Sequence, residues 1–386
     1  MKICTITGSR AEFYILKNLM LKLQSDKKFR QHVIVTGSHN SKLFGKTINE
    51  IRKQKIKIDS VIDISVGSDK EIDIAKSFSM GVRSFSKKFL QIKPDLLLVL
   101  GDRYEIYSAA IAACLNRIPI AHIYGGESTQ GAIDEAIRHS ITKLSHIHFA
   151  STKEHYNRVK QLGENEKYTF KIGSLGVEAI KKIKFFKKKE IEKKLNLKFS
   201  KRNILVTFHP ETLKSKNVVK KNFDKLLKCL KKLNDTTIIF TMPGADANFK
   251  VILKKIYQFV KGREKSYFFK YLGHEKYFSI CNSVDLMIGN SSSGIIEMPS
   301  FKKATINLGE RQDGRVKAKT VLNVDFNEKN ILKKIKYSYS KSFRKILKSA
   351  INPYDNGNSS DKIIKILKKI NLNNILKKKF FDYKLQ

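Results

Sequence analysis

Short apolar runs alternate with amphipathic stretches throughout the chain. The first run, Lys2–Thr7, has the length of a buried strand, and the next stretch, Ala11–Ser25, repeats its apolar residues at helical spacing. Strands separated by helices are typical of α/β proteins with parallel sheets. The pattern therefore predicts this fold class.

The predicted strands form two sets, separated by a lysine-rich segment. The first set continues with His32–Thr36, Ser60–Ile64, Asp95–Leu100, Ile118–Ile123, Ile147–Ala150 and Phe170–Gly173. The second set comprises Asn203–Phe208, Thr236–Thr241, Tyr267–Tyr271, Val284–Ile288, Ala304–Asn307 and Thr320–Val324. We expect two Rossmann-like, doubly wound domains, residues 1–174 and 175–360, with a cleft between them. Residues 361–386 are helical by pattern and can pack back on the first domain.

Charged side chains follow the predicted strands of the first half. Asp102 and Glu127 each come directly after such a strand, and the next helix carries Asp134 and His139 near its start. Ligands of open α/β sheets bind outside the carboxyl ends of the strands. We therefore expect these four residues to form a catalytic site.

Each of these residues also has a purely structural interpretation. Asp102 suits the N-cap of a helix, Glu127 a plain turn and His139 a buried core position. Asp134 and Arg138 are four residues apart, the spacing of an ion pair on a helix surface. We favour the catalytic interpretation because the strand ends of one sheet bring these pieces together.

A second set of residues suits an anionic ligand. Arg10 opens the first predicted helix, His209 follows the first strand of the second half, and Arg311 lies in a polar loop. An arginine at a helix start can bind a phosphate or carboxylate, although an ordinary surface arginine fits there equally well. The glycines near Arg10 do not form a G-x-G-x-x-G motif, so a dinucleotide cofactor is not supported.

The loop at residues 289–294 is a more specific signal for phosphate. It contains Ser291, Ser292 and Gly294 just where a helix is expected to begin. Free backbone N–H groups at such a position bind phosphate, although a serine-capped helix would have a similar sequence. Glu297, one turn further on, is placed to accept hydrogen bonds from two ribose hydroxyls.

The strongly basic composition raises the question of nucleic-acid binding. The chain has 77 Lys and Arg against 35 Asp and Glu, a net charge of +42. The lysines are spread from end to end, as a bias toward A/T-rich codons would produce, and the densest run, residues 181–202, also contains acids. We interpret that run as a solvated linker or surface helix, and we expect neither a nucleic-acid partner nor a membrane partner.

The lengths of the apolar runs and the positions of the cysteines bear on the cellular location. The first apolar run is too short for a secretory signal, and no run reaches the roughly 18–20 residues of a membrane span. The four cysteines have no metal-binding spacing. Cys4 and Cys114 lie in apolar elements, so we expect buried free thiols and a reducing, cytoplasmic setting.

Eight motifs, in order along nearly the whole chain, together point to a known family. They are GSRAE at Gly8–Glu12, TGSH at Thr36–His39, LGDRYE at Leu100–Glu105, HIYGGE at His122–Glu127, DEAIRHSITK at Asp134–Lys143, FHPET at Phe208–Thr212, GNSSSGIIE at Gly289–Glu297 and GERQDGR at Gly309–Arg315. The set resembles the hydrolysing UDP-N-acetylglucosamine 2-epimerases of the bacterial sialic-acid pathway.

This resemblance implies a GT-B-like fold and the conversion of UDP-N-acetylglucosamine and water to N-acetylmannosamine and UDP. It implies no metal or nicotinamide cofactor, and a homodimer or homotetramer. By the same resemblance, UDP contacts come from Arg10, His209, Ser291, Ser292, Gly294, Glu297 and Arg311, while Asp102, Glu127, Asp134 and His139 surround the sugar.

One position departs from the family pattern. Many members have a glutamate, treated as catalytic, where Tyr124 stands here. Either Glu127 takes that role, or Asp102 and Asp134 divide the proton transfers between them.

Several rival functions remain open at this point. The nearest is the same reaction on UDP-2,4-diacetamido-2,4,6-trideoxyglucose, in legionaminic-acid biosynthesis. A non-hydrolysing epimerase, a retaining glycosyltransferase and a basic nucleic-acid-binding protein are more distant.

Overall fold

The computed structural model describes residues 1–64, 70–244 and 246–383. The chain divides into two compact units. Unit 1 comprises Met1–Ser128, Ile133–Ala179 and Tyr354–Gln386, and unit 2 comprises Thr129–Ala132 and Ile180–Pro353.

Unit 1 is built on a parallel sheet covered by helices. The strands are β1 (Lys2–Thr7), β2 (Arg30–Val35), β3 (Ser60–Val61), β4 (Leu96–Leu100), β5 (Ile120–Ile123), β6 (Ile147–Ala150) and β7 (Thr169–Lys171). The helices are α1 (Arg10–Ser25), α2 (Ile48–Lys53), α3 (Glu71–Ile92), α4 (Tyr104–Leu115), α5 (Asp134–Leu144), α6 (Lys153–Gln161) and α7 (Leu175–Lys181). The strand order is β3-β2-β1-β4-β5-β6-β7.

Unit 2 repeats this architecture. Its strands are β8 (Arg202–Thr207), β9 (Thr236–Thr241), β10 (Ser266–Phe269), β11 (Leu286–Gly289), β12 (Ala304–Leu308) and β13 (Val321–Val324), in the order β10-β9-β8-β11-β12-β13. Its helices are α8 (Lys188–Leu195), α9 (Lys216–Lys231), α10 (Phe249–Lys261), α11 (Gly273–Ser283), α12 (Ser292–Ile296), α13 (Glu328–Ser338) and α14 (Lys341–Ser349). Within the described ranges, no helix is both long and apolar enough to cross a membrane.

The strand order of each sheet reverses beside the first strand of the unit. β1 pairs in parallel with β2 on one side and β4 on the other. In the same way, β8 lies between β9 and β11. This is the Rossmann arrangement, in which ligands bind outside the carboxyl ends of the strands at the reversal. The predicted fold class, two parallel-sheet α/β domains, is confirmed.

Strand β4 shows why the apolar runs predicted the fold well. Leu96, Leu98 and Leu100 pack in the core on one face of the sheet, while Leu97 and Val99 pack in the core on the other. All five side chains are buried because helices cover both faces. A strand buried on both faces needs a continuous apolar run, which is a strong sequence signal.

The last helix, α15 (Ser359–Lys369), is shorter than the sequence pattern predicted. Residues 370–383 carry no regular helix, and residues 384–386 of the predicted helix lie outside the described part of the chain. Asn374, in this segment, adopts the left-handed conformation with a φ of 58°, which does not continue a right-handed helix. Ile363 and Leu367 of α15 pack in the same core as α1, within unit 1.

The cysteines differ in part from expectation. Cys4 is buried, and burial raises the pKa of its thiol far above its usual value. Cys114 is exposed, so the expectation of a buried thiol is wrong there. Cys114 and Leu115 lie on the exposed side of the last turn of α4, with Leu115 70% exposed, whereas Ala112 and Ala113 are buried.

The segment after α15 is held by a buried carboxylate. Glu164 Oε1 accepts a hydrogen bond from Lys143 Nζ at 2.7 Å, and Oε2 accepts one from His148 Nε2 at 2.9 Å. Lys378 Nζ also lies 2.6 Å from Oε2. Burial alone would raise the pKa of Glu164, but the hydrogen bond from His148 and the charges of His148 and Lys378 lower it to about 2. The tail is therefore anchored by a paired charge inside unit 1.

We predict that Glu164→Gln destabilises the fold and removes part of its acid sensitivity. A carboxyl with a lowered pKa stabilises the native state above its unfolded pKa of about 4.3, and this stabilisation disappears as the pH falls toward 2. Urea unfolding at pH 7, 4 and 3 should therefore show a loss at pH 7 that shrinks on acidification.

The matched control for this variant is Glu166→Gln. Glu166 is exposed and pairs with Lys160 at the surface, where ion pairs contribute little. Equal losses in the two variants would contradict the role of Glu164.

Candidate active site

The first candidate group lies at the carboxyl end of β4. Gly101, with a φ of 79°, turns the chain out of the strand and is followed by Asp102. His122, buried on β5, donates from Nε2 to the Gly101 carbonyl at 2.8 Å. Burial lowers the pKa of His122 to about 3, so it is neutral and serves to fix this turn.

Arg138 of α5 connects the groups of this site. Its side chain is 1% exposed, and one Nη pairs with the carboxylate of Asp102. The other Nη donates to the backbone carbonyl of Glu127 at 3.0 Å and to the carboxylate of Glu135 at 2.8 Å. A buried guanidinium requires such compensation because its desolvation is costly. One side chain thus holds the ends of β4 and β5 against α5.

Glu127 is almost fully buried, with 2% of its surface exposed. Its Oε1 accepts a hydrogen bond from Ser151 Oγ at 2.9 Å. The preceding Gly126 has a φ of 76°, and an added Cβ would lie 2.2 Å from the carbonyl oxygen of His155. Only glycine permits this approach. Gly126 therefore lets the turn before Glu127 lie against α6.

The other two predicted catalytic residues lie on α5. Asp134 is the first residue of that helix and is partly exposed. His139 Nε2 lies 3.1 Å from Glu135 Oε1, and Ser128 Oγ donates to the same oxygen at 2.8 Å. The contacts thus connect Asp102, Glu127 and His139 through Arg138 and Glu135.

Sequence reasoning missed the central role of Arg138 and Glu135. Both were visible in the DEAIRHS motif, but an Arg–Glu pair at this spacing also fits a helix surface. Burial of Arg138, which the pattern did not reveal, distinguishes the two interpretations.

Arg10 lies at the carboxyl end of β1, on the other side of the strand reversal in unit 1. It is the first residue of α1 and is partly exposed. Behind it, the backbone N–H of Gly8 donates to Glu12 Oε2 at 2.8 Å. Burial, followed by the nearby charge of Glu105, raises the pKa of Glu12 to about 8.

Tyr124 directly follows β5, in the same turn as Glu127. Its φ is 71°, and its side chain is buried in the core of unit 1. The hydroxyl lies 2.9 Å from Ser174 Oγ and accepts a hydrogen bond from the Gly176 N–H at 3.3 Å. This side chain is thus bound to the start of α7.

The side-chain amide of Asn290 joins the carboxyl ends of β8 and β11, where the strand order of unit 2 reverses. The Asn290 side chain accepts from the His209 N–H at 2.8 Å and donates to the His209 carbonyl at 2.9 Å. His209 Nδ1 accepts a hydrogen bond from the Gly244 N–H at 2.9 Å, so its ring presents Nε2–H. An added Cβ on Gly289 would lie 1.9 Å from the Thr207 carbonyl oxygen. The ends of β8 and β11 are therefore fixed tightly together.

The Arg311 loop packs against this reversal within unit 2. Arg311 Nη1 and Gln312 Nε2 both donate to the Asn290 carbonyl, at 3.2 and 2.9 Å. Arg311 Nε is buried without a hydrogen-bond partner in the described part of the protein. Glu211, which the sequence analysis did not select, accepts from the Glu310 N–H at 3.3 Å and helps to hold this loop.

The serine-rich loop forms a short helix, α12. Ser291 is its N-cap and accepts from the Ser293 N–H at 3.3 Å, so the serine-capped helix foreseen as an alternative is present. Ser292 is the first residue of the helix, and Gly294 packs where a Cβ would lie 2.7 Å from Thr305 Cγ2.

Glu297 follows α12 and is buried near Tyr277 and Cys281. Tyr277 lies 2.6 Å from Ser293 Oγ through its hydroxyl. Burial, with a further contribution from Cys281, raises the pKa of Tyr277 well above its usual value, and the charge of Glu297 acts in the same direction.

Across the described ranges, no group of three or more His, Cys, Asp or Glu side chains is arranged to hold a metal ion.

Comparison with known proteins identifies the family. The profile of the UDP-N-acetylglucosamine 2-epimerases matches residues 21–368. The chain belongs to this family.

Two relatives and one solved structure place the chain more closely. It is 44% identical to the GDP/UDP-N,N'-diacetylbacillosamine 2-epimerase (hydrolyzing) of Campylobacter jejuni, over 99% of both chains. It is 39% identical to polysialic acid biosynthesis protein P7 of Escherichia coli, over 99% of this chain and 96% of that one. The structure of the UDP-GlcNAc 2-epimerase of Neisseria meningitidis bound to UDP-GlcNAc superposes with a TM-score of 0.81 at 22% identity, covering 96% of this chain and 100% of that one. This likeness confirms the fold.

Proposed function

We propose that this protein is a hydrolysing 2-epimerase of a UDP-linked 2-acetamido sugar. The observation that carries the proposal is the buried Arg138, which pairs with the carboxylates of Asp102 and Glu135 and binds the backbone carbonyl of Glu127. Family membership supports it, and the carboxylates supply the acid and base that the reaction needs.

The proposed reaction begins with loss of UDP from carbon 1 of the sugar. The proton on carbon 2 is not acidic in the intact substrate, but it becomes labile as positive charge develops at carbon 1. We assign stabilisation of the leaving diphosphate to Arg10, His209 and Arg311. Arg311 Nε, which has no hydrogen-bond partner among the described residues, and the Nε2–H of His209 are donors suited to phosphate oxygens.

A carboxylate then removes the proton from carbon 2, which gives a 2-acetamidoglucal. Water adds at carbon 1, and carbon 2 is reprotonated from the opposite face. We assign these proton transfers to Asp102, Glu127 and Asp134, with His139 beside them. Tyr124 has no carboxylate, and its hydroxyl is bound to Ser174. This supports Glu127 as the carboxylate that acts in this turn.

We assign the nucleotide to unit 2, apart from the contact of Arg10. The start of α12 provides Ser291, Ser292 and Gly294. The preceding residue, Asn290, accepts a hydrogen bond from Arg311 through its carbonyl. We assign to Glu297 the two ribose hydroxyls, as a carboxylate can accept both hydrogen bonds.

The relatives favour one of two sugars. The Campylobacter relative is named for GDP/UDP-N,N'-diacetylbacillosamine, which supports UDP-N,N'-diacetylbacillosamine as the substrate. This compound is the 2,4-diacetamido-trideoxy sugar nucleotide considered above. The second candidate is UDP-N-acetylglucosamine giving N-acetylmannosamine, and the polysialic-acid name of the Escherichia relative favours it.

The test is phosphorus and proton NMR of the purified protein, without added metal, with each sugar nucleotide separately. We expect free UDP and a 2-epimerised, non-nucleotide sugar from one substrate much faster than from the other. An epimerised sugar still attached to UDP would identify a non-hydrolysing enzyme, and no reaction with either substrate would contradict the proposal.

We predict that Asp102→Asn lowers turnover by at least about 100-fold, the usual contribution of a general acid or base. UDP affinity should remain, because the assigned nucleotide contacts lie mainly in unit 2. Steady-state kinetics and calorimetry measure the two effects.

The matched control is Asp95→Asn, at the opposite end of β4. Asp95 Oδ2 accepts from the Lys2 N–H at 2.6 Å and has no assigned role in the reaction. Wild-type turnover in Asp102→Asn would exclude Asp102 as an acid or base.

We predict that Glu297→Ala weakens UDP binding by about tenfold or more, because hydrogen bonds to a charged group are lost. Isothermal titration calorimetry with UDP measures the change. Glu264→Ala, at an exposed position of unit 2, is the control. Unchanged UDP affinity in the Glu297 variant would refute the ribose contact.

A further inference from the structure

A chain of buried polar groups leads away from Glu127 into α6. Ser151, at the end of β6, donates to Glu127 Oε1 at 2.9 Å. Ser151 Oγ also lies 2.8 Å from His155 Nδ1. All three side chains are buried, at 2%, 1% and 0% exposure for Glu127, Ser151 and His155.

The single hydroxyl hydrogen of Ser151 determines which group donates in each of these two hydrogen bonds. A serine hydroxyl has one hydrogen. If Ser151 gives it to the carboxylate of Glu127, its oxygen accepts a hydrogen bond from His155 Nδ1–H. His155 thereby directs the serine hydroxyl toward Glu127.

The backbone of α6 supports the same arrangement. Thr152 caps the helix by accepting from the His155 N–H at 3.2 Å, which fixes the position of His155. Arg158, one turn further along, donates from Nη1 to the Gly126 carbonyl at 2.5 Å. The turn that carries Glu127 is therefore bound to Arg158 of α6 as well as to Arg138 of α5.

We propose that Ser151 and His155 are positioning residues that hold Glu127 ionised and correctly oriented to remove the carbon-2 proton. This inference rests on the proposed function, in which Glu127 replaces the family's glutamate at position 124. It assigns to α6 a part in the reaction that no motif indicated.

The charges around Glu127 allow a pH measurement to test this role. Arg138 and Glu135 lie on α5, and Asp102, paired with Arg138, follows β4. Arg138 binds the Glu127 carbonyl, and Arg158 of α6 binds the Gly126 carbonyl. None of these changes in a Ser151 variant. A hydrogen bond donated to a carboxylate favours its ionised form, so losing the bond raises the pKa of that carboxyl.

The first experiment compares Ser151→Ala with the wild type. We expect kcat to fall roughly 10- to 100-fold with little change in KM, as one hydrogen bond to a charged group is lost. We also expect the acid limb of the pH profile to move to higher pH, because Glu127 must be ionised to act as a base. Wild-type kcat with an unmoved acid limb would overturn the inference.

A second pair of variants separates positioning from packing. His155→Asn keeps an N–H donor near the position of Nδ1, whereas His155→Leu removes it. We expect Asn to restore most of the turnover that Leu loses, and equal losses would overturn the inference. This pair also decides the matter if Ser151→Ala fails to fold.

The matched control is Ser338→Ala in unit 2. Ser338 is also buried, and its hydroxyl donates to the Ile335 carbonyl at 2.7 Å. It tests the general effect of losing a buried hydroxyl, and we expect kcat and the acid limb to stay at their wild-type values.

A readout independent of turnover distinguishes this inference from the proposed function. Carboxyl-carbon NMR of protein labelled in glutamate gives the titration of Glu127 directly, with Glu127→Gln used to assign the signal. A higher titration midpoint in Ser151→Ala supports the hydrogen-bond role even if both sugar nucleotides are inert, which would contradict only the proposed function. An unchanged midpoint overturns the inference even in an active enzyme.

Discussion

The buried guanidinium of Arg138 is the interaction on which the candidate site depends. Desolvating a cation is expensive unless carboxylates and carbonyls surround it. Arg138 obtains this compensation from Asp102, Glu135 and the backbone of Glu127. These partners come from the end of β4, from α5 itself and from the turn after β5. A single charge therefore fixes the mutual positions of groups that are distant in sequence.

The two units place different chemistry at equivalent points of the same topology. Both sheets reverse strand order beside their first strand, and both leave polar groups at the carboxyl ends there. In unit 1 this edge carries Asp102 and Arg10. In unit 2 it carries His209, tied to Asn290, and the Arg311 loop. A shared backbone arrangement thus presents an acid beside an arginine in one unit and only donors suited to an anion in the residues named for the other.

Tyr124 and Glu127 lie in the same turn after β5 but are held by different contacts. The tyrosine fits the core, and its hydroxyl binds Ser174 at the start of α7. Three residues later, Glu127 is buried and held from both α5 and α6. The carboxylate that this turn provides is therefore supported by contacts of its own. These contacts carry the argument for its role in the proposed reaction.

The sequence by itself determined the alternation of strands and helices, because strands covered on both faces require continuous apolar runs such as Leu96–Leu100. It also identified Asp102, Glu127 and the Arg311 loop as polar groups at strand ends. It overestimated the last helix, where residues 370–383 leave the helical conformation, and it misplaced Cys114, which is exposed. Only the tertiary structure decided that Arg138 is buried and that Ser151 and His155 stand behind Glu127. The local sequence pattern indicates which face of a helix or strand is apolar. A buried polar contact depends instead on partners from other helices and strands, which only folding brings together.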